Sequence, residues 1–470
     1  MKYVSTRGEA PVLGFDDVLL AGLAVDGGLY VPETWPELSS ADVAGFAGRS
    51  YAEVGTRLMA PFLGGGIDEE LMGGVLAEAY ARFRHPAVVP LRQVGDNEWV
   101  LELFHGPTLA FKDVALQVLG RLFDAELTRR GERLTILGAT SGDTGPAAIE
   151  ACRDRNALDV FILHPAGRIS EVQRRQMTSV SAGNVHNLAV EGTFDDCQDL
   201  VKAIFGDLAL RERLRLSAVN SINWARVLPQ AVYYLTAAVS LGGPSRPVTF
   251  SVPTGNFGNA LAGWVARRMG APISRLVVAS NRNDIATRFL TTGVMELQAV
   301  HPTTSPAMDI QVSSNLERLL FELLDRHADQ VARLMVDFGT TGRMEVPLER
   351  LAPLGDVFDT TKVDDDTVAT AMGELYAASG HLVDPHTAVG LVAGRACRRD
   401  PTVPLVAMAT AHPAKFPDTV EAATGVRPEL PDHLADLFDR PERCTTLPCD
   451  IRIVRDYVVA NARAGGAGGS

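Results

Sequence analysis

Residues 134–147 read LTILGATSGDTGPA, and the order of parts in this stretch sets the fold. Residues 134–137 form an apolar run short enough for a buried strand, residues 138–146 form a loop of glycines and hydroxyls, and a helix is expected from Ala147. The pattern recurs. Strands are expected at residues 98–103, 160–163, 185–190, 248–252, 276–279 and 405–409, and helices at 114–127, 194–205, 224–241, 260–269, 316–338, 365–379 and 387–397. Apolar strands alternating with Gly-rich turns and helices predict an α/β chain with parallel sheets and crossover helices. In such sheets ligands collect at the carboxyl ends of the strands. Lys112 falls between the strand at 98–103 and the following helix.

Outward from this body, the first ninety or so residues read as a separate, α-rich unit. It has a turn-rich segment at 24–32 (AVDGGLYVP) and helices at 40–46 and 69–83. The Gly64-Gly65-Gly66 run between these helices is a loop, and no strand precedes it as a phosphate cradle would require. The tail from Ala464 (AGGAGGS) is expected to be disordered. Over 470 residues, 46% hydrophobic and 21% charged residues describe a globular enzyme. A net charge of -13 argues against nucleic acid as a partner. Cys152, Cys197, Cys397, Cys444 and Cys449 are odd in number and include no C-x-x-C pair, so neither a disulfide framework nor a metal site is expected. There is no signal-peptide pattern and no run long enough to span a membrane, so a cytoplasmic location is expected.

Five short stretches carry residues suited to chemistry. In HGPTLAFKDVALQ (105–117), Lys112 sits at a helix start. It is either a surface lysine or one held out of water, where its amine can act as nucleophile or base. SVPTGNFGN (251–259) runs from a strand into a helix through Gly255 and Gly258. Such a loop can cradle a phosphate with backbone N–H groups, or it is a tight turn. In TSGDTG (140–145), Ser141 and Thr144 can help bind a carboxylate, or Asp143 or Thr144 simply caps the helix ahead of Pro146. NSINWARVLPQ (220–230) places Asn223 and Arg226 three apart, as an anion-binding pair or as surface residues of an amphipathic helix. LVAMATAHPAK (405–415) ends a strand at Thr410, with His412 and Lys415 just beyond. No G-x-S-x-G elbow, H-E-x-x-H pair or Cys/His cluster supports a serine-hydrolase or metal reading.

A junction lysine, an uncharged phosphate cradle, a carboxylate loop and a strand-end threonine form a constellation for pyridoxal phosphate. The chain resembles the threonine synthase family. The resemblance runs in order through YVSTRG, GLAVDGGLYVP, HGPTLAFKD, GATSGDTG, NSINWAR, VPTGNFGN, NRNDI, DPHTAVG and ATAHPAKF. It implies pyridoxal-phosphate fold type II (tryptophan synthase beta-like): two open parallel-rich sheets with flanking helices, plus an N-terminal α-rich domain. The implied division is an N-terminal domain at 1–92, a catalytic region at 93–430 with a smaller mobile subdomain at roughly 132–240, and a C-terminal segment at 431–470.

By the same resemblance Lys112 carries the Schiff base, Gly255, Asn256, Phe257, Gly258 and Asn259 hold the cofactor phosphate, and Thr410 meets the pyridine nitrogen. Ser141, Asp143 and Thr144 are candidates for the substrate carboxylate and amine, and Asn223, Arg226 and Lys415 for its phosphate. The implied reaction is a carbon–oxygen lyase step from O-phospho-L-homoserine and water to L-threonine and phosphate, the last step of threonine biosynthesis. A serine or threonine dehydratase, or a phospho-lyase-like homologue, is the alternative. A monomer or homodimer acting on a small molecule is expected. Nothing resembles the effector segment that some members carry ahead of the STRG entry, so no activation by S-adenosylmethionine is expected.

Overall fold

The computed structural model describes residues 1–465. Contacts gather them into two units. One comprises Met1–Val18, Leu23–Phe111 and Ser221–Glu429, and the other Leu19–Gly22, Lys112–Asn220 and the chain from Leu430. Both units are built from separated stretches of chain.

The first unit holds a six-stranded sheet in the order Phe358–Lys362, Ile273–Ser280, Val248–Pro253, Leu405–Ala409, Glu98–Glu102, Leu91–Gly95. All neighbours are parallel except Leu91–Gly95, which pairs antiparallel at the edge. Leu405–Ala409, a continuous apolar run, is buried at every residue, as expected for a central parallel strand. Ala407 and Ala409 of this strand join Val277, Ala279 and Val389 in the core.

The N-terminal residues are part of this unit. Tyr3–Ser5 pairs antiparallel with Tyr30–Pro32. Asp26 then gathers the turn, accepting from the Ser5 hydroxyl and from the amides of Glu9, Ala10 and Gly28. Just beyond, the Thr6 hydroxyl and the Arg7 guanidinium converge on the Glu317 carboxylate at 2.6 to 3.0 Å. Gly66 donates its amide to Asp16, so the triple-glycine run is a loop, as expected.

The second unit holds a five-stranded, all-parallel sheet in the order Thr445–Pro448, Val185–Glu191, Leu158–Pro165, Leu134–Ala139, Leu216–Ser217. The C-terminal region thus contributes an edge strand. Arg463 also binds Asp159 through its amide and guanidinium. Of the expected disordered tail, Ala464 and Gly465 lie in a 3-10 turn, and the rest falls outside the described residues.

The α/β architecture agrees with the sequence, and the elements differ in particulars. Residues 316–338 are two helices, Leu316–Leu323 and Ala328–Thr341, instead of one. Asp325 and Arg326 break the run with left-handed φ values of 53° and 62°. The Arg326 guanidinium donates to the carbonyls of Pro32 and Glu33, so tertiary bonds hold a break that the apolar pattern hides. Tyr51–Met59 is an additional helix, opened by a capping box between Ser50 and Glu53. The Phe358–Lys362 strand also went unread, because an edge strand needs no continuous apolar run.

In the second unit, helix Lys112–Arg130 packs on helix Thr144–Cys152 at Gly120, where an added Cβ would lie 2.3 Å from the Ala151 carbonyl oxygen. Gly120→Ala gains about 0.5–1 kcal/mol of helix propensity. Overpacking against backbone costs about 1–3 kcal/mol, and a carbonyl cannot rotate away as a side chain can. The denaturation midpoint of Gly120→Ala is therefore expected below that of the parent. An equal or higher midpoint would show that the two helices part freely.

Candidate active site

In the second unit, Lys112 opens its helix and places Nζ 3.5 Å from Asp143 Oδ2, with the two side chains 13% and 4% exposed. The lysine is therefore largely withdrawn from water. Asp143 occupies the N-cap position of helix Thr144–Cys152, yet its side chain makes no capping bond. Its Oδ1 accepts from Gln173 Nε2 at 2.9 Å. The local bonding is done by Thr140, whose Oγ1 accepts from the amides of Gly142 and Gly145 at 3.2 and 3.0 Å. Thr140 thus takes over the role expected of Asp143 or Thr144, which leaves the Asp143 carboxylate to face the lysine. Ser141 is exposed and Thr144 half-buried, so both hydroxyls are accessible.

In the first unit, the Val248–Pro253 strand leads through residues 254–257 into helix Gly258–Arg268. Phe257 turns the chain with a left-handed φ of 61°, its ring buried and 5.8 Å from that of Phe358. A Cβ on Gly255 would lie 3.0 Å from the Ala307 carbonyl oxygen. The loop's carbonyls are satisfied from one side: Gly255 O accepts from Ser313 Oγ at 2.7 Å, and Asn256 O accepts from the Asn315 amide and Nδ2 at 3.2 and 3.1 Å.

The amides of Gly255, Asn256, Phe257, Gly258 and Asn259, by contrast, enter no hydrogen bond among the described residues. The Asn259 side chain points its Oδ1 at the hydroxyls of Tyr233 and Tyr234, 2.7 and 2.8 Å away. Its buried Nδ2 has no partner among the described residues. A run of unspent N–H donors at a helix start, with no acidic side chain in it, fits a phosphate group.

Thr410 follows the Leu405–Ala409 strand, which lies parallel beside Val248–Pro253. Thr410 and the cradle therefore lie at the same carboxyl edge of this sheet. Thr410 is 7% exposed, and its carbonyl accepts from the amide of Phe111, the residue preceding Lys112 in the chain. Its hydroxyl makes no hydrogen bond among the described residues, so it can meet a ring nitrogen.

The three candidates for a second anion site differ. Asn223 is the N-cap of helix Trp224–Ser240, its Oδ1 accepting from the Ala225 amide at 3.0 Å. Lys415 is wholly buried and donates to the Thr108 carbonyl at 2.8 Å. Arg226 is 5% exposed, which corrects the surface-arginine alternative. Burial pushes its guanidinium down to about 10.

The sequence reading missed Gln173, Ser313 and Asn315. Gln173 stands three residues after the Ser170 cap of its own helix, and that cap was a readable signal for the helix though not for the bond to Asp143. Ser313 and Asn315 stand outside any motif singled out above.

Comparison with known proteins covers nearly the whole chain. A family described as Threonine synthase N terminus matches residues 2–80. One described as Pyridoxal-phosphate dependent enzyme matches 85–335, and one described as Threonine synthase, C-terminal matches 387–458. The chain is 54% identical over 466 residues to threonine synthase of Pseudomonas aeruginosa, with 99% of each chain covered. It is 40% identical over 477 residues to that of Corynebacterium glutamicum, with 98% of each covered. The crystal structure of PLP-bound threonine synthase from Brucella melitensis superposes with a TM-score of 0.96 at 53% identity, covering 98% of this chain and 100% of that one.

The bonding of the TSGDTG loop yields a prediction. Thr140→Val removes one acceptor from two amides, about 1–2 kcal/mol. Hydrogen exchange at Gly142 and Gly145 is expected to speed up by roughly 5- to 30-fold, read by mass spectrometry, with the central strands unchanged. Unaltered exchange at both amides would remove Thr140 as the organiser of the loop.

Proposed function

The chain belongs to the threonine synthase family, and from that membership we propose that it converts O-phospho-L-homoserine and water into L-threonine and phosphate, with pyridoxal phosphate as cofactor. Its match to the pyridoxal-phosphate dependent enzymes over residues 85–335 supports the cofactor. The observation that carries the geometric side of this reading is the cradle, where the amides of Gly255, Asn256, Phe257, Gly258 and Asn259 are unspent while the carbonyls of Gly255 and Asn256 are satisfied. Those five residues would hold the cofactor phosphate. Thr410 would meet the ring nitrogen, and Lys112 would be the covalent anchor. Bound pyridoxal phosphate supplies an electron sink for negative charge on the carbon beside the substrate amine.

The rest of the chemistry falls to the chain. Once the substrate amine has taken its place, Lys112 Nζ is free to accept the Cα proton and to move protons at Cβ and Cγ as phosphate leaves and water adds at Cβ. Asp143, fixed by Gln173, holds that amine in position. Ser141, Thr144 and the amides of their loop would bind the substrate carboxylate. Of the candidates for the substrate phosphate, Arg226 is taken first because its guanidinium presents a planar fork of donors that matches a phosphate. A buried guanidinium suits a dianion that must be held through the reaction. The hydroxyl of Thr410 cannot keep the ring nitrogen protonated as a carboxylate would, which leaves more of the charge handling to Lys112 and the phosphate groups.

No helix among the described residues is long and apolar enough to cross a membrane. An enzyme acting on a small molecule in the cytoplasm is proposed, and the net charge of -13 speaks against nucleic acid as a partner. A monomer or homodimer is proposed, and light scattering on the purified protein reads which.

Incubation with O-phospho-L-homoserine should yield threonine and phosphate in equal amounts. Phosphate without threonine would indicate the phospho-lyase alternative and overturn the synthase reading. A dehydratase needs no second phosphate site, so Arg226→Ala discriminates. The expected result is a KM for O-phospho-L-homoserine raised by about tenfold or more, and an unchanged KM and turnover would remove Arg226 from the site.

A further inference from the structure

Asn315 lies just ahead of helix Leu316–Leu323 and is wholly buried. Its Nδ2 donates to two backbone carbonyls, Asn256 O at 3.1 Å and Ser221 O at 3.2 Å. Its Oδ1 accepts from Arg318 Nη1 at 2.6 Å. Two N–H groups meet two carbonyls and the oxygen meets a guanidinium, so the partners fix which way the amide faces. Arg318 is 1% exposed and also donates through Nη2 to the Ile222 carbonyl at 2.5 Å and through Nε to the Tyr30 carbonyl at 3.0 Å. It also lies 5.7 Å from the centre of the Trp224 ring. Gly258 belongs to the same packing, since a Cβ there would come within 3.3 Å of Asn315 Nδ2.

One end of this strut is Asn256, inside the cofactor-phosphate cradle. The other end is Ser221 and Ile222, the two residues that lead into Asn223 and Arg226. We propose that Asn315, held by Arg318, is a positioning residue that couples the cofactor-phosphate cradle to the substrate-phosphate segment. The inference rests on the assignments of residues 255–259 and of Arg226 made above. Asn315 sets the Asn256 peptide, and with it the direction of the cradle amides. It also sets the start of helix Trp224–Ser240, and with it the reach of Arg226. A ligand that tightens one end lowers the cost of ordering the other, and the effect is reciprocal. A plain core asparagine would carry stability alone and leave both affinities untouched.

The test uses the full-length holoenzyme with Asn315→Asp, Asn315→Ser and Arg318→Lys. For each variant the dissociation constant of pyridoxal phosphate is read by absorbance, KM and kcat by phosphate release, and Tm by calorimetry. Asn315→Asp replaces two donors with an acceptor facing two carbonyls. It should weaken pyridoxal phosphate binding and raise KM, each by about tenfold or more, with kcat changed less than KM. Arg318→Lys keeps the charge but loses the planar fork. It touches Ile222 and not the cradle, so it should raise KM more than it weakens the cofactor. If Asn315→Asp does not fold, Asn315→Ser, which loses the bridge without adding an acceptor of full charge, should move both constants in the same directions.

A folded Asn315 variant with both constants within about twofold of the parent would overturn the proposal. So would loss of cofactor affinity with KM unchanged. Arg226→Ala separates the two layers: if it raises KM while the Asn315 variants move neither constant, the coupling fails and the substrate-phosphate assignment stands. If Arg226→Ala leaves KM unchanged, that assignment fails and the coupling falls with it.

Discussion

A loop whose amides are kept unspent must still satisfy its carbonyls, because a buried C=O without a donor costs about as much as a lost hydrogen bond. Around residues 255–259 this constraint is met by Ser313 and Asn315, and much of the first unit serves to hold those two side chains. Asp309 accepts from Asn281 and Asn283, both in the NRNDI motif. His386, in DPHTAVG, accepts the Ala307 amide on Nε2 at 3.1 Å, while its Nδ1 lies 2.7 Å from Asp384. Glu317, two residues after Asn315, takes Thr6 and Arg7 of the STRG entry. Motifs far apart in the chain thus brace a single segment, residues 303–318, which in turn holds the cradle.

The lysine side obeys a complementary rule. An aspartate at an N-cap ordinarily spends its carboxylate on the helix amides. Here Thr140 accepts the Gly142 and Gly145 amides, and Asp143 is left to Gln173 and Lys112. Relocating a cap by three residues changes a structural carboxylate into one that faces the amine.

Much of this was legible in the sequence, for identifiable reasons. Parallel strands buried on both faces are apolar at most positions, so residues 134–137, 248–252 and 405–409 announce themselves even with Thr135 and Ser251 in them. Lys112 and the GNFGN run are contiguous patterns, and contiguity is what a single sequence displays. Arg226 was found, but its burial was not, because amphipathic spacing does not tell which helices are enclosed on all sides. Gln173, Asn315 and Arg318 act through bonds to residues 30 to 288 positions away, and no local pattern encodes such a partner. The break at Asp325 and Arg326 escaped for the same reason: its cause, the carbonyls of Pro32 and Glu33, lies nearly three hundred residues upstream.

The close approach at Gly120 has a kinematic side. Helices Lys112–Arg130 and Thr144–Cys152 meet backbone to side-chain-free backbone at Gly120 and Ala151, and again where Lys112 faces Asp143. Only the first of these contacts is between backbones, so it is the one that limits how the two helices slide or tilt. The Gly120 contact fixes the two helices backbone to backbone, while the long side chain of Lys112 keeps its own freedom to swing, so the scaffold is held and the amine alone moves.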